Sequence, residues 1–317
     1  MPYNRNVILV FFVLYLQFIL PVKLILNLFS IQPGYIIIFV HALISMLFLF
    51  YFVPWDYTNY YIRYFYMGLL LLGVLTAATS LIAGDMLLQI QPDWILSRKT
   101  DILWTIALSY IVFMIIKARM KQKDSIDLKF PFKDGHFLIA EGGDGKASFF
   151  SNYHYRYWKS RTKGYDTMRF ATDIVKLDPR GFSKKGIVPV ENDLFYIYDE
   201  PVYSPIDGAV FRVRDEYDDH SAHSGKYPSG VGNMVVIKKD DYYVLIGHLK
   251  KNKTVVVEGQ RIRTGELVGN IGMTGYTPRP HLHMQVSRSA IGDFWEGNGI
   301  PVTFDGKLPY KNRLFKV

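Results

Sequence analysis

The stretch Thr277-Pro-Arg-Pro-His-Leu-His-Met-Gln-Val286 decides how the second half of the chain is read. Pro278-Arg-Pro280 has the composition of a turn, and His281 to Val286 that of a strand. Side chains on a strand alternate with a period of two, so His281 and His283 share a face and Leu282 points to the opposite layer. Two imidazoles close together on one face suit a metal ligand beside a proton-transfer group. An isolated His-x-His fits a solvated strand equally well, so its surroundings decide.

Composition narrows the chemistry. The 317 residues give room for two domains, and the apolar half of the composition is concentrated in the first third. There is no cysteine, which excludes disulfides and thiolate zinc sites, so a metal would have to be held by His, Asp or Glu. The formal net charge is +9, nearly all of it after residue 116, which favours anionic partners such as lipid headgroups or wall polymers. The basic residues are interleaved with acids and no nucleic-acid motif is present, so nucleic acid is set aside.

Residues 1–117 read as a membrane region. Four apolar runs lie at about 7–28, 35–53, 64–83 and 102–116. A spanning helix needs roughly 20 apolar residues, so about four transmembrane helices are expected. Tyr51, Trp55, Tyr57 and Tyr60 cluster at an expected interface. His41 lies inside the second run, where a neutral, hydrogen-bonded ring is the expected state. Lys117, Arg119, Lys121 and Lys123 follow the last run, while Lys23, Arg98 and Lys99 lie in opposite loops. Taken literally, this charge bias places the C-terminal part in the cytoplasm.

Residues 118–134 are charged and read as a juxtamembrane linker. From 135 to 317 the chain has short alternating segments, among them Phe170–Val175, Gly208–Val213, Met234–Ile237 and Tyr242–Ile246. Turn signals such as Asp207-Gly208, Glu258-Gly259 and Thr274-Gly275 punctuate them. The pattern predicts an all-β domain of many short antiparallel strands.

Six blocks carry a family resemblance: Val202-Tyr-Ser-Pro-Ile-Asp-Gly-Ala-Val210, Gly232-Asn-Met-Val-Val-Ile237, Gly247-His-Leu249, Val257-Glu-Gly-Gln-Arg-Ile262, Gly265-Glu-Leu-Val-Gly269 and Pro280-His-Leu-His283. In this order they resemble the M23 zinc peptidases, the lysostaphin and LytM-like peptidoglycan endopeptidases. The resemblance covers roughly residues 165–290 and implies a barrel-like domain of the duplicated-hybrid-motif type with one Zn²⁺. It also implies His283 and Asp173 as zinc ligands, and His248 and His281 as the catalytic pair.

One position departs from the family pattern. The first ligand of the family's His-x-x-x-Asp motif falls on Arg169, which has no free lone pair for a metal. On a strand the two positions share a face, so Arg169 occupies the ligand site in register, and its guanidinium could pair with Asp173 and leave a degenerate site. Alternatively His154, in Asn152-Tyr-His154, enters from a loop as the substitute ligand; otherwise it is a surface residue. Asp166 is a weaker substitute. His220 and His223, in Asp218-Asp-His-Ser-Ala-His223, read as a solvated loop flanking the groove, and His136 as a loop residue.

Two functions compete. The first is a zinc endopeptidase cleaving peptidoglycan cross-bridges, multi-pass in the cell membrane with its C-terminal domain extracellular, and in contact with membrane lipid and anionic wall polymers. The second is a degenerate domain of the same fold that binds the wall or a partner protein. Arg169 supports the second. The joint presence of Asp173, His248, His281 and His283 supports the first.

Overall fold

A computed structural model describes residues 11–29, 35–82, 92–155, 163–224, 227, 230–289 and 293–317. The apolar runs are helical: α1 over residues 11–29, α2 at Tyr35–Phe52, α3 at Ile62–Ile82, α4 at Pro92–Ser97 and α5 at Lys99–Ala118. Within α1 the stretch Tyr15–Ile19 is wound as a π-helix. Pro21 accounts for it, because a proline has no N–H for the carbonyl four residues back and its ring crowds that carbonyl.

Of the four expected spans, one is matched by length and composition. Among the described residues, α5 is the one helix long and apolar enough to cross a membrane. The apolar stretches Phe11–Asn27, Ile36–Phe52 and Ile62–Thr76 are shorter. Polar side chains inside the helices are tied to neighbouring segments. His41 Nδ1 lies 2.9 Å from Thr105 Oγ1, and that hydroxyl donates to the Asp101 carbonyl, so the ring joins α2 to α5. Gln17, fully buried on α1, donates to the Pro54 carbonyl and accepts from the Thr58 hydroxyl.

The remainder is mostly β-structure. One sheet of nine strands contains β2 (His136–Glu141), β3 (Thr172–Leu177), β5 (Gly208–Arg214), β6 (Asn233–Lys239), β7 (Tyr242–Leu249) and β8 (Arg261–Ile262). It also contains β10 (Leu282–Arg288), β11 (Asn298–Gly299) and β13 (Leu314–Lys316). The strand order is β13-β2-β3-β10-β7-β6-β5-β8, with β11 added to β10, and every pairing in it is antiparallel. The path runs from β13 to β8 without returning, so the expected barrel-like form is an open sheet. Two small ribbons flank it: β1 (Ile126–Leu128) runs parallel to β12 (Val302–Phe304), and β4 (Pro201–Tyr203) antiparallel to β9 (Leu267–Asn270).

Period two sets the core. Leu282, Met284 and Val286 of β10 lie in the same buried cluster as Ile174, Val235, Ile237, Val244 and Ile246. Phe130 stacks on Phe315 at 4.6 Å, and Phe132 on Phe137 at 4.2 Å. Residues 118–134 are therefore built into the domain and do not form a free linker: 126–128 are a paired strand, and Phe130 and Phe132 are core.

The helices dock directly on this domain. The Asp144 amide donates to the Ala118 carbonyl at 2.9 Å, and Arg119 donates to the Lys311 carbonyl. The loop between α2 and α3 lies against the sheet. Asn312 Nδ2 donates to the Tyr51 and Val53 carbonyls, Ser183 to that of Asp56, and Lys184 to that of Tyr57. Asp56 is itself fully buried in an ion pair with Arg279, two residues before His281.

Candidate metal centre

Register brings the site together. On β10 and β3 the pair His283–Asp173 is directly opposed, next to the core pair Leu282–Ile174. On the other side His283 faces Gly247, where a Cβ would lie 2.9 Å from Val231 Cβ, so the strand leaves no room for a side chain. His248 follows with φ of 60°, a left-handed conformation that histidine adopts more readily than most residues. Its amide donates to the Val231 carbonyl at 2.8 Å, which holds that bend.

Five side chains converge. His154, Asp173, His248, His281 and His283 are all buried. Asp173 Oδ1 lies 2.9 Å from His283 Nδ1 and 3.4 Å from His281 Nε2, and Oδ2 lies 3.3 Å from His154 Nε2. The His248 ring is 4.7 Å from that of His281 and 5.8 Å from that of His283. Within this group, His154, Asp173 and His283 each offer a ligand atom, all within 4.8 Å of one another, and so do His248, His281 and His283.

The outer nitrogens reveal what the centre is arranged to hold. His154 Nδ1 faces Asn152 Oδ1 at 2.8 Å, His248 Nδ1 the Thr274 carbonyl at 2.7 Å, and His281 Nδ1 the Arg279 carbonyl at 3.0 Å. His283 Nε2 faces Gln285 Oε1 at 3.3 Å. Each of these partners is an acceptor, so with a cation in the centre each of these ring nitrogens carries the proton. The inner nitrogens of His154, His281 and His283 then turn lone pairs toward a carboxylate. Lone pairs and an anion facing one point repel unless a cation lies among them, and acceptor-fixed tautomers are how metal-ligating histidines are oriented. The donor set therefore fits zinc, which takes nitrogen and oxygen ligands.

Without a metal, the electrostatics are those of donors around Asp173. Burial raises the Asp173 carboxyl, but His154 and His281 outweigh it and hold it well below the usual carboxylate range. Burial, with His281 and His283 close by, pushes His248 well below the ordinary imidazole value, so the ring is neutral at pH 7.

Arg169 does not pair with Asp173. It lies on a 3-10 helix, Lys163–Phe170, so the strand does not run back to it. Its Nε and Nη2 donate to the Asp144 carboxylate at 2.8 and 2.7 Å, away from Asp173. Asp166 lies on the same 3-10 helix and outside the group that converges. His154 is brought in, with Asn152 as its support: Asn152 Nδ2 donates to the Ala171 carbonyl at 2.8 Å, beside β3. Asn152, Gln285 and Thr274 were missed in the sequence. The adjacency of Asn152 to His154 was the available signal for the first.

The remaining histidines lie elsewhere. His136 begins β2 rather than a loop. His220 meets the Gly275 carbonyl through Nε2 at 2.9 Å, and His223 is buried rather than solvated. Burial, then Arg279 and Lys184, lower His223 to about 4. An unfolded histidine titrates near about 6.5. Between those values the unfolded chain binds the extra proton, so stability is lost as pH falls from 6.5 to 4. Solvent screening brings the effect to about 2 kcal/mol. Chemical denaturation at several pH values should show that loss reduced in His223→Asn, a residue that also accepts the φ of 57°.

The sequence profile of Peptidase family M23 matches residues 192–299. The chain carries an M23 peptidase domain. The match contains His248, His281 and His283, while Asp173 and His154 lie upstream of it and join through the sheet. Among solved structures, a mutant catalytic domain of the prophage-encoded M23 protein EnpA from Enterococcus faecalis is 18% identical, with 41% of this chain and 72% of that one covered and a TM-score of 0.28. A zinc-containing peptidase from Vibrio cholerae is 23% identical over 54% of this chain and 37% of its own, with a TM-score of 0.30. Lysostaphin is 20% identical over 38% of this chain and 36% of its own, with a TM-score of 0.24. The chain thus spans well under half of the latter two proteins. M23 peptidases are zinc enzymes, and this domain has a His/Asp group able to hold a metal.

Proposed function

We propose that the chain is a zinc-dependent endopeptidase, anchored in the cell membrane, that cleaves peptide bonds in peptidoglycan on the outer side of the cell. The observation that carries the peptidase reading is the ring of acceptor-fixed histidines whose inner nitrogens face Asp173. In this reading His154 Nε2, Asp173 and His283 Nδ1 hold one zinc. When bound, zinc supplies Lewis acidity toward water and the scissile carbonyl.

The chain's own residues do the rest. His248 keeps its proton on Nδ1, against Thr274, so Nε2 is the basic atom and can take a proton from an attacking water. The proton taken by His248 then passes from its Nε2 to the leaving amine, and His281, oriented the same way by the Arg279 carbonyl, turns its Nε2 toward the same centre and can position the water. Burial of the whole group strengthens these interactions by excluding solvent.

The full chain, purified without a metal-binding tag, should contain about one zinc. His248→Ala should keep that metal and lose roughly a hundred- to ten-thousandfold in kcat, the usual worth of a general base. A full chain that takes up no zinc from excess metal would sink the proposal and favour a binding role.

Support for anchoring comes from the apolar length of α5. The outer location follows from the substrate, and long domains cross membranes with little regard to charge. The net charge of +9 would also concentrate the domain on anionic wall polymers. Because the chain has no cysteine, Lys307→Cys on the exposed surface gives a clean test of sidedness. A membrane-impermeant maleimide should label it on intact cells, and labelling only after lysis would reverse the orientation.

A further inference from the structure

The metal centre opens on two spaces of different kind. One, of about 30 Å³, lies among His154, His248, His281, His283, Tyr153 and Tyr276, room for little more than a water. The other, of about 470 Å³, lies between the helices and the sheet, with Asp173 and His281 in its wall. That volume falls within the roughly 300–1,000 Å³ of ligand pockets.

The larger cavity is divided by polarity. Phe12, Val13 and Leu16 of α1 line it with Phe52, Phe149 and Phe150. The Phe150 ring meets Phe52 edge-on at 5.3 Å, so helix and domain share this wall. Its polar residues include Glu141, Asp173, Arg279, His281 and Lys311. Glu141 Oε2 is buried there with no hydrogen-bond partner, although its other oxygen accepts from Lys311. A buried unpaired acceptor is destabilising unless a donor reaches it. The outward side of α1 is apolar as well: Phe11, Phe18, Ile19 and Leu26 are exposed.

A bare polar peptide would gain little from those aromatic walls, and a bare hydrocarbon would leave Glu141 unpaired. We propose that the cavity takes a substrate carrying a hydrocarbon chain: the chain lies among Phe12, Val13, Leu16, Phe149 and Phe150, and the attached peptide passes Glu141 to reach Asp173 and His281. This rests on the peptidase reading and narrows it to lipid-linked peptide substrates.

Two photoreactive probes test it on the full chain in nanodiscs. One is palmitoyl-tetra-alanine with a diazirine midway along the chain; the other is the same palmitate without peptide. The acyl-peptide should label Phe149 to Tyr153 at least about tenfold more than the free acid, with label on exposed Phe18 and Ile19 alike for both. Val13→Trp, which fills the cavity, should abolish the Phe149 to Tyr153 label and keep the Phe18 label; Leu16→Phe serves if that variant does not fold. Equal labelling by both probes would mean a resident lipid and overturn the substrate assignment. Label confined to Phe18 and Ile19 would overturn the site altogether. Zinc content of the same sample separates the two readings: zinc without cavity label sinks only this inference, and cavity label without zinc sinks the peptidase.

Discussion

Replacing His154 by alanine should cost the chain its zinc. Four-ligand structural zinc sites are worth about 10–16 kcal/mol, so one ligand accounts for roughly 3–4 kcal/mol, or on the order of a hundred- to thousandfold in affinity. Competition against a zinc chelator would read this directly, with circular dichroism as the check on folding. Asp173→Asn and His283→Ala should behave alike, because both contribute to the same three-ligand set. Arg169→Ala is the informative control. Its guanidinium is engaged by Asp144, so the affinity should stay within a few-fold of wild type. Zinc lost in Arg169→Ala and kept in His154→Ala would reverse the assignment.

Asp56→Ala should destabilise the full chain by about 3–5 kcal/mol, the usual cost of stranding one partner of a buried ion pair. Burial works against the Arg279 guanidinium, and Asp56 more than offsets it, so the guanidinium keeps its charge. The effect should reach catalysis too. The Arg279 carbonyl orients His281 through Nδ1, and a turn released from Asp56 would let that ring rotate. Thermal unfolding in detergent and kcat on a peptide substrate would both fall. Adding Arg279→Met to Asp56→Ala should restore most of the stability, because no charge is then left buried; a double variant as unstable as the single one would refute this account.

The centre was legible where it depended on period two. His281-Leu-His283 announces which ring faces the site, and β3 meets β10 with Asp173 opposite His283. It was illegible where the backbone changes type without a strong composition signal. Lys163–Phe170 turns with three residues per turn, so Arg169 leaves the face that a continuous strand would have given it. His154 could be suspected but not chosen, since its placement depends on Asn152 reaching the Ala171 carbonyl. Hydropathy located the helices, but among the described residues the length and apolarity needed to span are met by α5 alone, because the other apolar stretches are shorter. The docking of Asp56 on Arg279 joins residues 223 apart through one charge in an apolar loop. Local pattern carries nothing about such a pair.

The bond from Asp144 to Ala118, at the very end of α5, leaves no slack between helix and domain. With α5 in a bilayer, the centre cannot swing outward on a tether. It works at a fixed height, and a lipid-linked substrate reaches it by diffusing in the same layer. Its turnover would then follow the number of substrate molecules per unit area, so adding inert lipid would slow the reaction at constant bulk concentration, as dilution slows one in solution.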